Sequence, residues 1–306
     1  MGAGHDHAPA AGPDYRRRLG IAFGITFSIL LVEVVGAAIT GSLSLLVDAA
    51  HMLTDAGGLF MALIAATLMR RATTPRRTWG FQRAEVLAAT AQAAVLLAVG
   101  LFALVEGLRR LFEPPAVPSA ELLIFGIIGL AGNIASIAVL TAGRSANMNM
   151  RAAFLEVLND ALGSVAVITS AVIIMTTGWG QADALAGMLI AILIIPRTIK
   201  LLRETTSVLM ESTPMGLDLD EVRAHMLELP HVTEVHDLHA SLVATGLPIL
   251  SAHVTVEDSC FRDGHAPKIL DDLQKCVAEH FSIKVEHSTF QIEPAQHAQH
   301  EHHTHA

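Results

Sequence analysis

The stretch "GSLSLLVDAAHMLTDAGGLFMALIAATLM", residues 41–69, is apolar over the length of a membrane crossing, yet it holds His51 and Asp55 near its middle. A run of roughly 20 apolar residues spans a bilayer, and a charged side chain at its centre costs about 3 kcal/mol on insertion scales. That cost has to be offset by something the two residues hold. Working outward, five further apolar stretches of spanning length flank Leu43 to Met69: Leu19 to Thr40, Ala84 to Leu108, Ala120 to Ala142, Ala152 to Thr176 and Ala182 to Leu202. An even number of crossings places both ends on one side. The basic residues Arg16, Arg17, Arg18, Arg70, Arg71, Arg76, Arg77, Arg83, Arg144, Arg151, Arg197, Lys200 and Arg203 fall on that side, against Arg109 and Arg110 on the other. Both termini are therefore expected in the cytoplasm.

Composition agrees with a protein that lives in lipid. Of 306 residues, 52% are hydrophobic and only 16% charged, and the mean hydropathy is +0.50, values that point away from a soluble globular domain. The formal charge of −9 at pH 7 is unevenly spread, with arginines flanking the apolar segments and acids concentrated after residue 211. Cys260 and Cys276 form no CxxC pattern and are expected to be inert, buried thiols. The opening "MGAGHDHAPAAGPDYRRR" lacks the apolar core of a cleavable leader, so a mature cytoplasmic N-terminus is expected.

After "LLRETTSVLMESTP" the character changes. "DLDEVRAHMLEL" begins with Asp218 three residues before Glu221, an acidic capping-box-like start, and carries Val222, Met226 and Leu229 at helical spacing. "HVTEVHDLHASLVA" and "PILSAHVTVED" read as strands across the turn "TGLP"; "APKILDDLQKCVAEHF" is an amphipathic helix with Ile269, Leu270, Leu273, Val277 and Phe281 on one face; "VEHSTFQIE" closes as a strand. The order helix, strand, strand, helix, strand implies a small α+β unit with helices on one face of a sheet. The predicted organisation is a disordered tail over 1–18, six spans over 19–211, a cytoplasmic domain over 212–293 and a disordered tail over 294–306. Histidines crowd both tails, in "HDH" at 5–7 and "HAQHEHHTHA" at 297–306. The irregular spacing of the second is unlike an engineered hexahistidine and points to a low-affinity collector of divalent metal.

The chemistry lies in two pairs. His51 and Asp55 are four residues apart, which puts both side chains on one helix face, one turn apart. In "AFLEVLNDALGS" Glu156 and Asp160 repeat the spacing on the fifth span. Facing each other, the two helices would offer one imidazole nitrogen and three carboxylates to a common point, a set that suits a tetrahedral divalent ion such as zinc. Any one of these residues alone could be hydrogen-bonding a neighbouring helix. Three buried carboxylates together repel one another, so the set calls for a cation, protons, or both.

On these residues the chain resembles a family. "GSLSLLVDAAHMLTD", "RTWGFQRAEVLAA" and "NMNMRAAFLEVLNDALGSVAV" are similar to the second span, the loop into the third, and the fifth span of the cation diffusion facilitator family of divalent metal exporters, and the likeness runs from residue 15 to 293. The resemblance implies a membrane all-α six-helix bundle with a cytoplasmic α+β ferredoxin-like C-terminal domain, working as a homodimer that exports metal in exchange for protons. Carried over residue by residue, the transport site would be His51, Asp55, Glu156 and Asp160. Zinc-selective members usually have histidine where this chain has Glu156, with glycine common at the position of Asn159. Carboxylate for imidazole makes the site harder and more negative, which favours manganese, iron(II) or cobalt more than two histidines would. Zinc is the leading substrate, with cobalt, cadmium, manganese and iron(II) as alternatives. Metal needs deprotonated ligands, so its binding would expel protons, and Glu156 is a candidate proton carrier.

Other polar residues carry less. Asp48 either lines the exit path or is solvated. Glu33, Glu85 and Glu106 are expected in interhelical or interfacial hydrogen bonds, Asn133 and Asn159 as donors between helices, and Gly57 and Gly58 as points of close helix approach. In the C-terminal domain, strand alternation sets His253, His287 and Glu293 on a polar sheet face. The resemblance suggests a regulatory metal site there from His236, His253 and Glu293, with His265 or His287 as further candidates. A membrane-anchored metal sensor is the alternative to a carrier, and the paired intramembrane motif, which a sensor would not need, separates them. With no GxxxxGK[ST] phosphate loop and no covalent catalytic motif, neither a pump nor an enzyme is expected. No cofactor or nucleic-acid partner is expected either; the partners are the lipid bilayer, divalent metal ions and a second copy of the chain, in a bacterial inner membrane.

Overall fold

A computed structural model describes residues 13–69, 71, 73–141 and 148–298, apart from the side chains of 13–20, 55, 58–63, 65, 66, 69, 148–153 and 298. The long apolar runs become helices: α1 (Pro13–Thr40), α2 (Leu43–Met69), α3 (Ala84–Phe112), α4 (Ser119–Thr141), α5 (Met148–Thr177) and α6 (Gln181–Leu209). Ile21–Thr40, Ala84–Phe112, Ser119–Thr141, Phe154–Thr177 and Gln181–Leu209 are each long and apolar enough to cross a membrane, and among the described residues of α2, Leu43–Thr54 is an apolar stretch. Large apolar side chains point outward along them, Val105 at 71% and Leu193 at 67% exposure. In water such a surface would drive aggregation; in a bilayer it is the lipid face.

The remaining elements are α7 (Leu219–Leu227), β1 (Val232–Ala244), β2 (Leu247–Val256), α8 (Cys260–Asp263), α9 (Ala266–Glu279), β3 (His287–Pro294) and α10 (Ala295–Ala298). Among the described residues α1 already begins at Pro13, and α10 follows β3 directly. By contacts the chain divides into two compact units, Met1–Phe60 with Ala91–Lys200, and Met61–Thr90 with Leu201–Ala306.

In the first unit small apolar knots join two to four helices each. Ala37, Leu45, Leu122, Val167 and Ala171 bring together α1, α2, α4 and α5; Leu43, Val47, Ala103, Ile190 and Ala191 bring together α2, α3 and α6; Ile29, Leu30 and Met52 tie α1 to α2. Lipid supplies no hydrophobic drive between helices, so close packing through small residues has to hold them. Gly163 on α5 marks one close approach: a Cβ there would lie 2.5 Å from Oδ1 of Asp48 on α2. Gly57 meets nothing within 4 Å among the described residues, and the surroundings of Gly58 lie outside them. The start of α2 is pinned by a carboxylate from α6. Asp183, 1% exposed, accepts from Oγ of Ser42 at 2.5 Å, from N of Leu43 at 2.6 Å and from Oγ of Ser44 at 2.5 Å. It satisfies the open amides of a helix N-terminus from another helix.

In the second unit the C-terminal elements form an α+β domain. Asp218 caps α7, accepting from N of Asp220 at 2.9 Å and N of Glu221 at 3.4 Å. The sheet order is β1-β2-β3, antiparallel between β1 and β2 and parallel between β2 and β3, the parallel pair being crossed over through α8 and α9 as such pairs require. One sheet face and the helices share a core of Val222, Met226, Leu250, Val254, Leu273 and Val277 among others. Cys276 lies in this core, where burial, and then the Glu228 carboxylate, push its thiol up, as suits an inert cysteine. The loop before α3 also belongs to this unit, with Trp79 edge-on to His287 at 4.9 Å and Arg83 bonded to Glu211 at 2.6 Å.

Candidate metal sites

The α2 and α5 helices bring His51 together with Glu156 and Asp160 in the first unit. Nε2 of His51 lies 3.8 Å from Oδ1 of Asp160 and 4.0 Å from Oε1 of Glu156. His51 is 6% and Asp160 3% exposed, whereas Glu156 is half-buried. Asp55 is on α2, but its side chain lies outside the described residues. Oδ1 of Asp160 has no hydrogen-bond partner among the described groups, an orphan that a buried carboxylate does not keep without a cation or proton to meet it.

A residue that sequence reasoning assigned only to topology completes the picture. Arg197 on α6 grips both oxygens of Glu156, Nη1 to Oε1 at 2.9 Å and Nη2 to Oε2 at 2.7 Å, the bidentate fork that guanidinium makes best. It stands directly after Pro196 inside α6. Proline cannot donate to the carbonyl four residues back, and that proline in the sequence was the one signal that this turn of α6 is special. The Arg197 side chain is 59% uncovered by the rest of the protein, so it is not locked in the interior.

Around this cluster the other intramembrane polar groups sort cleanly. Asp48 is 1% exposed, which removes the solvated reading, and its Oδ2, like Oε2 of Glu33, lacks a hydrogen-bond partner among the described groups. Asn133 donates to Oγ of Ser164 at 3.2 Å, while Asn159 is exposed rather than between helices. Glu106 is held by Arg110 at 2.9 Å, and Glu85 meets Oγ1 of Thr245 at 3.5 Å.

In the second unit the register does the assembling. His236 on β1 faces His253 on β2, with rings 5.3 Å apart at 69°. Glu293, from β3, puts Oε1 3.2 Å from Nε2 of His236 and Oε2 3.9 Å from Nδ1 of His253. The three could hold a metal ion, their ligand atoms all lying within 4.8 Å of one another. Glu293 is 2% exposed, far too buried for a carboxylate without partners. Gln291 donates to it at 3.0 Å, and Nε2 of His297 on α10 stands 3.9 Å away. His297 falls in the stretch expected as a tail, and the turn from β3 into α10 brings it back to Glu293. His265 and His287 are placed elsewhere. His287 is six residues from Glu293 along β3, about 20 Å at a strand's rise, and His265 pairs with Asp263 at 2.8 Å.

Comparison with known proteins agrees with this architecture. Residues 19–210 match the cation efflux transmembrane domain. The chain belongs to the cation efflux family. It is thus a multi-pass membrane transporter and not an enzyme. Residues 214–295 match the cation efflux protein cytoplasmic domain, the model named ZT_dimer. The chain is similar to the metal cation efflux system protein CzcD of Cupriavidus metallidurans, 39% identical over 96% of this chain and 91% of that one. It is also similar to the zinc transporter ZitB of Escherichia coli, 37% identical over 96% and 93%. The cadmium, cobalt and zinc/H(+)-K(+) antiporter of Bacillus subtilis is 32% identical over 99% of this chain and 100% of its own.

Proposed function

We propose that this cation efflux protein exports a divalent metal from the cytoplasm in exchange for protons, with zinc the leading substrate and cobalt, cadmium, manganese and iron(II) as further candidates. The observation that carries the reading is the convergence of His51, Glu156 and Asp160 from two helices into one buried cluster, with Asp55 completing the set by its spacing from His51. Two of the relatives, the zinc transporter and the cadmium, cobalt and zinc/H(+)-K(+) antiporter, support by their names zinc, cadmium and cobalt as the metals, and the second supports a proton as counter-ion. Arg197 is the stand-in cation of the empty carrier. Metal arriving at Glu156 displaces the guanidinium, and the ligands release the protons they hold as the metal binds; protons on the far side reverse the exchange. His236, His253 and Glu293, joined by His297, form a cytoplasmic regulatory metal site. The match to the ZT_dimer module supports a homodimer, and the arginine distribution supports cytoplasmic termini in an inner membrane.

The test is metal uptake into inside-out proteoliposomes under an imposed proton gradient, with zinc, cobalt, cadmium, manganese and iron(II) in turn. Uptake should rise with the gradient, and Glu156→His should shift preference toward zinc over manganese. Uptake indifferent to the gradient overturns the exchange, and uptake of none of the five metals overturns export. A Glu156→Gln variant with unchanged pH dependence removes Glu156 as a proton carrier.

A further inference from the structure

A second group of ligand-type side chains lies at the opposite end of the β1-β2 pair from the hairpin turn. His231, just before β1, places Nδ1 3.0 Å from Oε2 of Glu257, just after β2, and the sulfur of Cys260 completes a trio whose ligand atoms all fall within 4.8 Å of one another. We propose that His231, Glu257 and Cys260, completed by His265, form a second cytoplasmic metal site, separate from the His236, His253 and Glu293 cluster, for a divalent cation of borderline softness such as zinc.

Three features support it. First, the backbone holds the trio in one frame. N of Glu257 donates to O of His231 at 3.1 Å and N of Cys260 to O of Glu257 at 3.0 Å, so no ligand depends on a mobile loop. Second, the donors have complementary mobility. Cys260 is fully buried and fixed, whereas the side chains of His231 and Glu257 are 38% and 54% exposed. A tetrahedral zinc with bonds of about 2.0–2.3 Å needs its ligand atoms about 3.3–3.8 Å apart, and rotation of the two exposed side chains closes that gap without moving the core. Third, a fourth ligand stands ready. The His265 ring is 5.2 Å from that of His231, and its Nδ1 is engaged by Asp263 at 2.8 Å. That leaves Nε2 for a metal, the carboxylate-histidine arrangement that orients such ligands.

His231 also sits at φ +70°, a left-handed conformation that glycine adopts freely and other residues adopt at a cost. An imidazole kept there fits a side chain with a task. Binding would convert the Cys260 thiol to thiolate, its proton passing to solvent. The plain alternative is a core cysteine beside a surface ion pair.

Cobalt(II) separates the two, because only thiolate ligation gives the intense sulfur-to-cobalt charge-transfer band in the near ultraviolet, whatever the sixteen histidines bind elsewhere. The full-length protein in detergent should develop the band on cobalt titration. The band should persist in Cys276→Ala and disappear in Cys260→Ser. Should the buried serine impair folding, His231→Gly decides: glycine suits φ +70°, so folding is kept, yet affinity at the thiolate band should fall about tenfold or more. No band in the wild type, a band surviving Cys260→Ser, or unchanged affinity in His231→Gly each overturns the proposal.

Discussion

The membrane cluster and the sheet cluster use the same side chains on different backbones, and their surroundings differ more than their ligands do. In the first, His51, Glu156 and Asp160 come from two helices, and Glu156 is already clasped by an arginine that is 59% exposed. In the second, His236 and His253 are cross-strand neighbours around a glutamate that is 2% exposed and touched by Gln291 and His297. A ligand set whose neighbouring cation is only partly enclosed by protein suits an ion that arrives and leaves. One held on a hydrogen-bonded ladder suits an ion that stays. On the proposed function, exchange and retention differ by what surrounds the ligands rather than by ligand identity.

Four experiments test that contrast and the packing around it. Asp160→Asn removes a buried carboxylate from the proposed transport set. Zinc flux in proteoliposomes should fall by about 100-fold or more, since even outer partners of metal ligands are worth about 10–100-fold; retained flux would move the site elsewhere. Asp183→Ala leaves the Leu43 amide and the Ser42 and Ser44 hydroxyls without their buried acceptor. Unfolding in detergent should show a loss of about 3 kcal/mol, with nothing comparable for a carboxylate at an exposed position such as Asp220. Arg197→Ala takes away the stand-in cation, so zinc should bind about tenfold more tightly, a change of about 1.4 kcal/mol, and turn over more slowly. Calorimetry and flux measured together check it, and weaker binding would mean that Arg197 positions Glu156 rather than competing for it. The smallest effect belongs to the sheet: His253→Ala should lower the metal bound per chain while flux at saturating zinc stays within about twofold, as for distant sites that act independently.

Much of this was legible without coordinates, for identifiable reasons. Apolar runs of spanning length can only be helices in lipid, because every backbone amide must be satisfied within its own segment, and i,i+4 spacing on a helix places His51 with Asp55 and Glu156 with Asp160 on common faces. Alternation along β2 likewise separated the buried Leu250, Ala252, Val254 and Val256 from His253. Contacts between elements were another matter. Nothing in the chain's local pattern says that Arg197 on α6 reaches Glu156 on α5, that Asp183 caps the helix beginning at Leu43, 140 residues before it in sequence, or that Glu293 reaches both histidines while His287 on the same strand meets Trp79.

His265 is the clearest case. The resemblance groups it with the sheet histidines, yet the chain carries it to His231, because the loop after β2 returns past the start of β1. The residue types and their periodicity by themselves determined the membrane helices, the α+β domain and the paired ligands, since those follow from local geometry and from the solvent each face must meet. Only the tertiary structure decided which ligands meet, which cation faces them and which carboxylates are stranded in the interior, since those depend on register and helix rotation, and no local spacing encodes either.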